Sequence, residues 1–174
     1  TPTMHVDEFV RGKGKFFITE YIPTTERVNN KFPLILTTGR ILAHYNVGAQ
    51  TRRTNNTEWH TEDLVEIHPH DAEDRGINEQ DWVGINSRAG DTVLRAKITD
   101  RVQPGVIYTT FHHPVSGANV ITTDNSDWAT NCPEFKVTAV QVTKVTQPSD
   151  WQEKYQKFSE KQIDLVKKNE EKVN

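Results

Sequence analysis

Six short runs of β-forming residues, each bounded by turn residues, fill the middle of the chain and limit the folds that it can adopt. They span residues 33–37, 64–67, 82–87, 92–98, 106–110 and 136–145. Ala89-Gly90-Asp91 predicts a hairpin between two alternating runs, and Gln103-Pro104-Gly105 predicts a turn into the next strand. Residues 69–75 begin with proline, carry acids and stop before Gly76, as a short helix does. The pattern predicts a mainly β protein with small helices, whose strands form a barrel.

The segments on either side of this region differ from it in character. Residues 1–31 mix glycine and proline with one candidate strand, residues 15–22, and we expect an N-terminal arm packed on the barrel. Residues 32–147 form the barrel domain itself. Beyond them, residues 148–174 are rich in lysine and glutamate. Aromatic residues recur there at a helical spacing, at Trp151, Tyr155 and Phe158. This predicts a C-terminal amphipathic helix.

The composition excludes several classes of protein. With a formal net charge of −3, the chain lacks the basic excess that would favour nucleic acid. Cys132 is the only cysteine, which rules out an internal disulfide framework and a multi-cysteine metal site. No apolar run is long enough to span a bilayer and the first residues do not resemble a signal peptide. We therefore expect no membrane association and a cytoplasmic location.

Motifs of self-sufficient active sites are missing as well. The sequence contains no Gly-x-Ser-x-Gly elbow, no phosphate loop and no Cys–His spacing typical of thiol proteases. Adjacent acids such as Glu62-Asp63 and Glu73-Asp74 are interpreted as solvated faces or as charges at helix N-termini. The sequence therefore predicts a binding domain with no catalytic residue of its own.

The run that ends at Thr37-Thr38-Gly39 leads directly into a cluster of positive charge. Glycine lets backbone N–H groups approach a ligand, and the Arg40 guanidinium is suited to phosphate. His44, Arg52 and Arg53 complete the cluster within fourteen residues of sequence. We interpret it as an anion site. The alternative is a strand that ends in a solvated, basic loop.

A second cluster, Phe111-His112-His113-Pro114, follows the fifth run and precedes Asn119. Adjacent side chains diverge on an extended backbone and no carboxylate or cysteine lies at ligand spacing nearby, so we predict no metal site. His112 and Asn119 are better suited to reading the edge of a heterocycle through hydrogen bonds. The alternative is that Asn119 caps a turn and His112 is merely exposed.

Across residues 5–145, a set of motifs follows a fixed order. They are Thr37-Thr-Gly-Arg-Ile-Leu-Ala-His-Tyr-Asn46, Thr51-Arg-Arg53, Glu66-Ile-His-Pro-His-Asp-Ala72, Asp81-Trp-Val83, Ser87-Arg-Ala-Gly90, Asp100-Arg-Val-Gln-Pro-Gly105, Phe111-His112, Ala118-Asn-Val-Ile-Thr122 and Pro133-Glu-Phe-Lys136. Together they resemble the C-terminal domain of molybdopterin oxidoreductases. Within that family the sequence is most similar to the alpha subunit of formate dehydrogenases, especially the cytoplasmic, NAD-linked kind.

The resemblance implies a double-psi β-barrel, also called an aspartate-decarboxylase-like barrel, followed by the C-terminal helix. Such barrels bind molybdopterin guanine dinucleotide, two of which chelate one molybdenum or tungsten in the full enzyme. The positions that match the cofactor-binding residues of the family are Thr38, Gly39, Arg40, His44, Asn46, Thr51, His112, Asn119 and Lys136. Ile41 stands where family members carry a glutamate, so no contact of that carboxylate is transferred.

The implied function is cofactor binding in an oxidoreductase that converts formate to CO2. In formate dehydrogenases the metal ligand is a cysteine or selenocysteine on an earlier domain, a position that Cys132 does not match. We therefore expect the isolated chain to be inactive. Its expected partners are the remaining domains of the catalytic subunit and the electron-transfer subunits. Two alternatives are an independent barrel that binds another nucleotide or phosphate, and an interaction domain that uses the aromatic stripe of the C-terminal helix.

Overall fold

A computed structural model describes residues 3–173, so residues 1, 2 and 174, at the outer ends of the predicted arm and helix, lie outside the described part. Within residues 3–173, six strands close into a barrel. The strands are β1 (Leu34–Gly39), β2 (Leu64–Ile67), β3 (Trp82–Asn86), β4 (Asp91–Ile98), β5 (Val106–Thr110) and β6 (Thr138–Val145). The helices are α1 (Asn56–Trp59), α2 (Pro69–Glu73) and α3 (Asp150–Val173), with 3-10 turns at Thr51–Arg53 and Pro114–Ser116.

The order of the strands around the barrel brings three loops to one end. The order is β1-β5-β2-β4-β3-β6, and β6 closes onto β1. β1 pairs in parallel with β5 and β2 pairs in parallel with β4, whereas the other pairs are antiparallel. The carboxyl ends of β1, β3 and β5 therefore meet the amino ends of β2, β4 and β6. We call this end of the barrel the mouth. Its first loop is residues 40–63, its second loop 87–90 and its third loop 111–137.

Alternation along the strands builds the core. In β1, Leu34, Leu36 and Thr38 are buried while the residues between them are partly exposed. The strands contribute further branched aliphatic side chains to the same cluster, among them Val65, Ile67, Val83, Ile85, Ile107, Val140 and Val142. Each such side chain stabilises the fold by about 1.5–3 kcal/mol when it leaves water. The packed interior therefore fixes the strand ends from which the mouth loops begin.

All the strands predicted for residues 32–147 are confirmed, and so is the short helix that begins at Pro69. The strand predicted for residues 15–22 is wrong: this segment forms no strand, and Phe16 and Ile18 are exposed. Strands need a neighbour with an unpaired edge, and a closed barrel has none. Residues of the predicted arm do contact the barrel further on, because buried Glu26 accepts hydrogen bonds from Ala139 N (2.8 Å) and Arg88 Nη1 (3.1 Å).

The predicted C-terminal helix is confirmed as α3, which spans Asp150–Val173. Its first turn packs against β4 and the third mouth loop through Trp151 and Gln152. Further along, Phe158 and Leu165 are exposed. Among the helices described, none combines the length and the apolar content needed to cross a membrane.

Candidate functional site

The end of β1 is joined to the segment that precedes β6. Thr38 is buried and its Oγ1 donates a hydrogen bond to the carbonyl oxygen of Phe135 (2.8 Å). In return, Lys136 Nζ donates to the carbonyl oxygen of Thr38. Two residues predicted from separate motifs, Thr38 and Lys136, are thus in direct contact, and the lysine ammonium is held at the rim of the mouth.

Gly39 is required by its neighbour on β5. A Cβ atom at Gly39 would lie 2.5 Å from Tyr108 Oη, closer than real Cβ atoms approach other atoms. The same hydroxyl donates to the carbonyl oxygen of Arg40 (3.0 Å), and burial raises the pKa of Tyr108. The glycine therefore lets the tyrosine fix the backbone at Arg40, while the close approach of a ligand at Gly39 stays a prediction.

Arg40 projects from this fixed backbone towards the first loop. Its Nη2 donates to Asn46 Oδ1 (3.0 Å), and its guanidinium carbon lies 5.2 Å from the centroid of the Phe111 ring. Asn46 has a φ of +47°, in the left-handed region that asparagine tolerates better than most residues. The backbone of Asn46 thus turns the first loop, and its side chain orients the Arg40 guanidinium.

His112 connects the first and third loops from a fully buried position. Ile41 N donates to His112 Nε2 (3.2 Å), so this nitrogen carries the lone pair. The proton must then be on Nδ1, which donates to the carbonyl oxygen of Asn46. Burial lowers the pKa of His112, which agrees with the neutral ring that these bonds require. The buried ring, with both nitrogens bonded, holds the loops together rather than lying exposed.

His44 plays a similar part within the first loop. Its Nε2 donates to the carbonyl oxygen of His60 (2.9 Å), and its Nδ1 lies 3.0 Å from Thr51 Oγ1. Thr51 Oγ1 also accepts from Tyr45 N (3.2 Å), so the same hydroxyl joins the histidine to the backbone of the loop. His44 is buried. The pair His44 and Thr51 therefore closes the first loop on itself.

Asp63 is a buried acceptor that the sequence interpretation missed. The predicted solvated face is correct for Glu62, whose side chain is 43% exposed, but wrong for Asp63, whose side chain is 0% exposed. Its Oδ1 accepts from Thr110 Oγ1 and from His112 N (3.1 Å), and its Oδ2 accepts from His113 N (2.8 Å). The carboxylate therefore fixes the start of the third loop.

The charge on Asp63 is stable despite its burial. Burial alone would raise the pKa of this carboxyl, but hydrogen bonds from His113, Thr110 and Ser116 outweigh it and hold the pKa well below its ordinary value. His113 Nδ1 also lies 3.3 Å from Oδ1. A permanent negative charge thus sits beneath the histidines of the mouth.

His60, Asp63 and His113 each place one possible ligand atom within 4.8 Å of the others. Both Asp63 oxygens already accept hydrogen bonds, which a metal ion would have to displace at a cost of about 1–3 kcal/mol for each donor left unpaired. Burial lowers the pKa of His60, while Asp63 opposes this effect. We interpret the group as a buried carboxylate packed beside two histidines, and the absence of a metal site stays a prediction.

An open cleft of about 320 Å³ lies between the first and third loops. Val47 lines one side, and Phe111 and residues 116–120 line the other. Asn119 is exposed at this cleft, and within the described chain its side-chain amide has no hydrogen-bond partner. The cleft therefore offers both apolar contact and an available amide.

Positive charge in the first and third mouth loops has no acidic partner in the described part of the chain. Arg40, Arg52, Arg53 and Lys136 have no carboxylate within ion-pair distance among residues 3–173. Arg52 Nε is in addition buried without a hydrogen bond there. By contrast, Arg101 pairs with Glu66 (3.2 Å) at the opposite end of the barrel. This distribution fits an anionic, partly aromatic ligand such as a dinucleotide.

The structure brings all nine predicted cofactor residues to the mouth, and it divides them into two groups. Thr38, His44 and His112 are buried and engaged in holding the loops. Arg40, Asn46, Asn119 and Lys136 are exposed at the rim. Gly39 and Thr51 shape the first loop through Tyr108 and His44. Direct contact of each residue with a cofactor stays a prediction.

Comparison with known proteins identifies the family. Residues 34–139 match the family described as "Molydopterin dinucleotide binding domain". The F420-dependent formate dehydrogenase 1 subunit alpha of Methanococcus maripaludis is 37% identical over 148 residues, which cover 83% of this chain and 22% of that protein. The F420-dependent formate dehydrogenase subunit alpha of Methanocaldococcus jannaschii is 38% identical with the same coverage. The chain thus spans about a fifth of the length of these relatives.

The fold has a solved counterpart. Acetylene Hydratase from Pelobacter acetylenicus superimposes with a TM-score of 0.57 at 16% identity, over 66% of this chain and 18% of that protein. With the two parallel strand pairs of the closed barrel, this likeness confirms the predicted double-psi β-barrel. Because the match covers residues 34–139, more than half of the chain, this chain belongs to the molybdopterin dinucleotide-binding domain family, as its ordered motifs predicted.

Proposed function

We propose that the chain is the molybdopterin guanine dinucleotide-binding domain of the alpha subunit of a formate dehydrogenase. Residues 32–147 form the binding domain, with residues 1–31 as an arm and residues 148–174 as an attached helix. Family membership and the two formate dehydrogenase relatives support this proposal. The observation that carries it is the positive charge of Arg40, Arg52, Arg53 and Lys136 in the mouth loops, which has no acidic partner among residues 3–173, together with the open cleft that the same loops enclose.

The residues present fit the cofactor in their chemistry. Arg40 and Lys136 would hold the pyrophosphate, because both are exposed cations at the rim without acidic partners among the described residues. Asn119 and Asn46 offer amides for a heterocycle edge. His44, Thr51 and His112 would keep the loops in place. When bound, the cofactor supplies the molybdenum or tungsten centre at which formate is oxidised to CO2, with two dinucleotides per metal.

In that reaction this chain has a supporting part, because it orients the dinucleotide. The metal ligand belongs to other domains of the catalytic subunit, so the isolated chain will not oxidise formate. Its partners are those domains and the electron-transfer subunits of a cytoplasmic enzyme, without nucleic acid or membrane. The names of the curated relatives describe F420-dependent enzymes, whereas the sequence motifs resemble those of NAD-linked formate dehydrogenases. The proposal therefore covers both electron acceptors.

Titration of the isotope-labelled chain tests the proposal. The ligand is molybdopterin guanine dinucleotide released from a purified molybdoenzyme, with GDP as the comparison, and the readout is amide chemical shifts. We expect shifts in residues 38–46 and 111–122 and weaker binding of GDP. Arg40→Ala removes charge-assisted hydrogen bonds worth about 1.5–3 kcal/mol, so the dinucleotide Kd will rise about tenfold or more.

Arg101→Ala is the matched control, because it removes the same charge at the opposite end of the barrel and leaves Glu66 paired with Lys97 (3.3 Å). It will leave the Kd unchanged. Equal affinities for GDP and the dinucleotide would contradict the proposal and favour a general nucleotide module. Equal losses in the two arginine variants would show that net charge alone attracts the ligand.

A further inference from the structure

One glutamine of α3 is built into the barrel. Gln152 is 5% exposed, although residues 153–158, which follow it in the helix, are exposed. Its Nε2 donates to the carbonyl oxygens of Val93 (2.8 Å) and Val115 (3.0 Å), and its Oε1 accepts from Val93 N (3.2 Å). The side-chain amide therefore pairs with β4 as the backbone of a neighbouring strand would, and it binds the third mouth loop at the same time.

Trp151, the residue before Gln152, packs on the same third mouth loop. Gly117 has a φ of +60°, and a Cβ atom there would overlap the ring of Trp151. From the other side, Thr92 Oγ1 of β4 donates to the carbonyl oxygen of Ser116. The turn at residues 114–117 is thus held between β4 and the first turn of α3.

This turn shapes the cleft of the mouth. Ser116, Gly117 and Asn119 line it, and Val120 N donates to the carbonyl oxygen of Gly117 (2.8 Å). His112, which joins the loops, lies two residues before the turn. A shift of residues 114–117 would therefore move the Asn119 amide and alter one wall of the cleft.

We propose that Gln152 is a positioning residue for the cofactor: the first turn of α3 holds residues 114–120 in the arrangement that binds the dinucleotide. The part that concerns the cofactor rests on the proposed function. If release of Gln152 leaves the loop in the binding arrangement for only about a tenth of the time, the apparent Kd rises about tenfold. Tyr155 and Phe158, further along α3, are not required to hold the loop.

Hydrogen exchange on the full chain tests the positioning directly. Gln152→Met keeps the bulk of the side chain but removes its hydrogen bonds, and Gln156→Ala, one turn further on at an exposed position, is the matched control. The probes are the amides of Ser116, Gly117 and Val120, which are hydrogen-bonded within the loop. We expect exchange at least about tenfold faster in Gln152→Met and unchanged in the control. Unchanged exchange in Gln152→Met would overturn the proposal.

Binding of the dinucleotide supplies the second readout. Gln152→Met will raise the Kd about tenfold, whereas Arg40→Ala will weaken binding without changing exchange at residues 116–120. Faster exchange with an unchanged Kd would overturn the role in cofactor binding. If the unaltered chain does not bind the dinucleotide, the proposed function fails, while the exchange data still decide whether Gln152 holds the loop.

A measurement on the unaltered chain covers the case in which Gln152→Met does not fold. Exchange is followed in increasing urea for Gly117 and for Glu153, whose N–H donates to the carbonyl oxygen of Ser149 in the first turn of α3 (3.1 Å). Equal urea dependence and equal opening equilibria support the proposal, since loop and helix then open together. Protection of Gly117 that persists after Glu153 has opened would overturn it.

Discussion

Replacement of Asp63 by asparagine keeps the shape of the side chain but removes a buried charge on which the third mouth loop depends. The amide oxygen can keep the hydrogen bonds that Thr110 Oγ1 and His112 N donate to Oδ1. The other terminal atom becomes an NH2 group, which cannot accept from His113 N. The substitution thus leaves one buried N–H unpaired and converts two charge-assisted hydrogen bonds into neutral ones.

These changes give the expected magnitude. An unpaired buried N–H costs about 1–3 kcal/mol, and a hydrogen bond to a neutral acceptor is weaker than one to a charge by about 1 kcal/mol. The lower desolvation cost of a neutral amide offsets part of this loss. We therefore expect Asp63→Asn to lower the free energy of unfolding by about 3 kcal/mol at pH 7.

Urea unfolding followed by tryptophan fluorescence measures this loss, and the slope of the transition shows whether the variant still unfolds in one step. Glu62→Gln is the neighbouring control. Its side chain is 43% exposed and lies 4.0 Å from Arg95, so the change will stay within about 0.5 kcal/mol. A loss below about 0.5 kcal/mol for Asp63→Asn, or equal losses in both variants, would refute the structural role assigned to the buried carboxylate.

The remaining predictions concern pH and backbone geometry. Because burial lowers the pKa of His60 and His112 in the folded chain, the unfolded chain binds protons at a higher pH than the folded chain does. The free energy of unfolding is therefore highest above about pH 6.5 and decreases below it, by at most about 1.4 kcal/mol per pH unit for each histidine. Urea unfolding at a series of pH values measures this decrease. Gly48→Ala will cost about 2–3 kcal/mol, since φ is +72° and a Cβ would lie 2.7 Å from the His112 carbonyl oxygen. Gly76→Ala is the control: φ is +62° and a Cβ there would meet no atom within 4 Å, so it will cost about 1–2 kcal/mol. Equal losses of stability in the two variants, measured by thermal unfolding, would show that the contact at Gly48 is unimportant.

The strands of the barrel could be predicted because the information that forms them is local. Turn residues bound each run, and the predicted bounds of the run at residues 64–67 coincide with those of β2, between the polar Asp63 and the helix start at His68-Pro69. The segment at residues 15–22 has similar residues, but pairing requires an open strand edge elsewhere in the molecule. No local pattern reveals that the barrel is closed.

The cationic rim could also be predicted, whereas the buried polar residues behind it could not. Glu62 and Asp63 look alike in the sequence, but Glu62 lies at a bend before β2, and the path of the chain at that bend decides which side chain enters the interior. One therefore faces water and the other faces the interior. Gln152 was missed for a related reason: a polar residue in an amphipathic helix is assigned to the solvent, and its strand-like pairing with Val93 depends on where the helix docks.

The two groups of mouth residues explain how positive charge stays available to a ligand. Buried His44 and His112 hold the loops through hydrogen bonds to backbone groups, so the loops need no ion pairs with the rim cations. Protonation of His112 would add positive charge near the cleft, but it would also remove the lone pair that accepts from Ile41 N. Electrostatic attraction for an anion would rise while the loop that presents Arg40 loosens. Because Coulomb attraction at an exposed rim is screened by water and salt, the loss of loop order dominates, and acid weakens binding of an anion at this mouth.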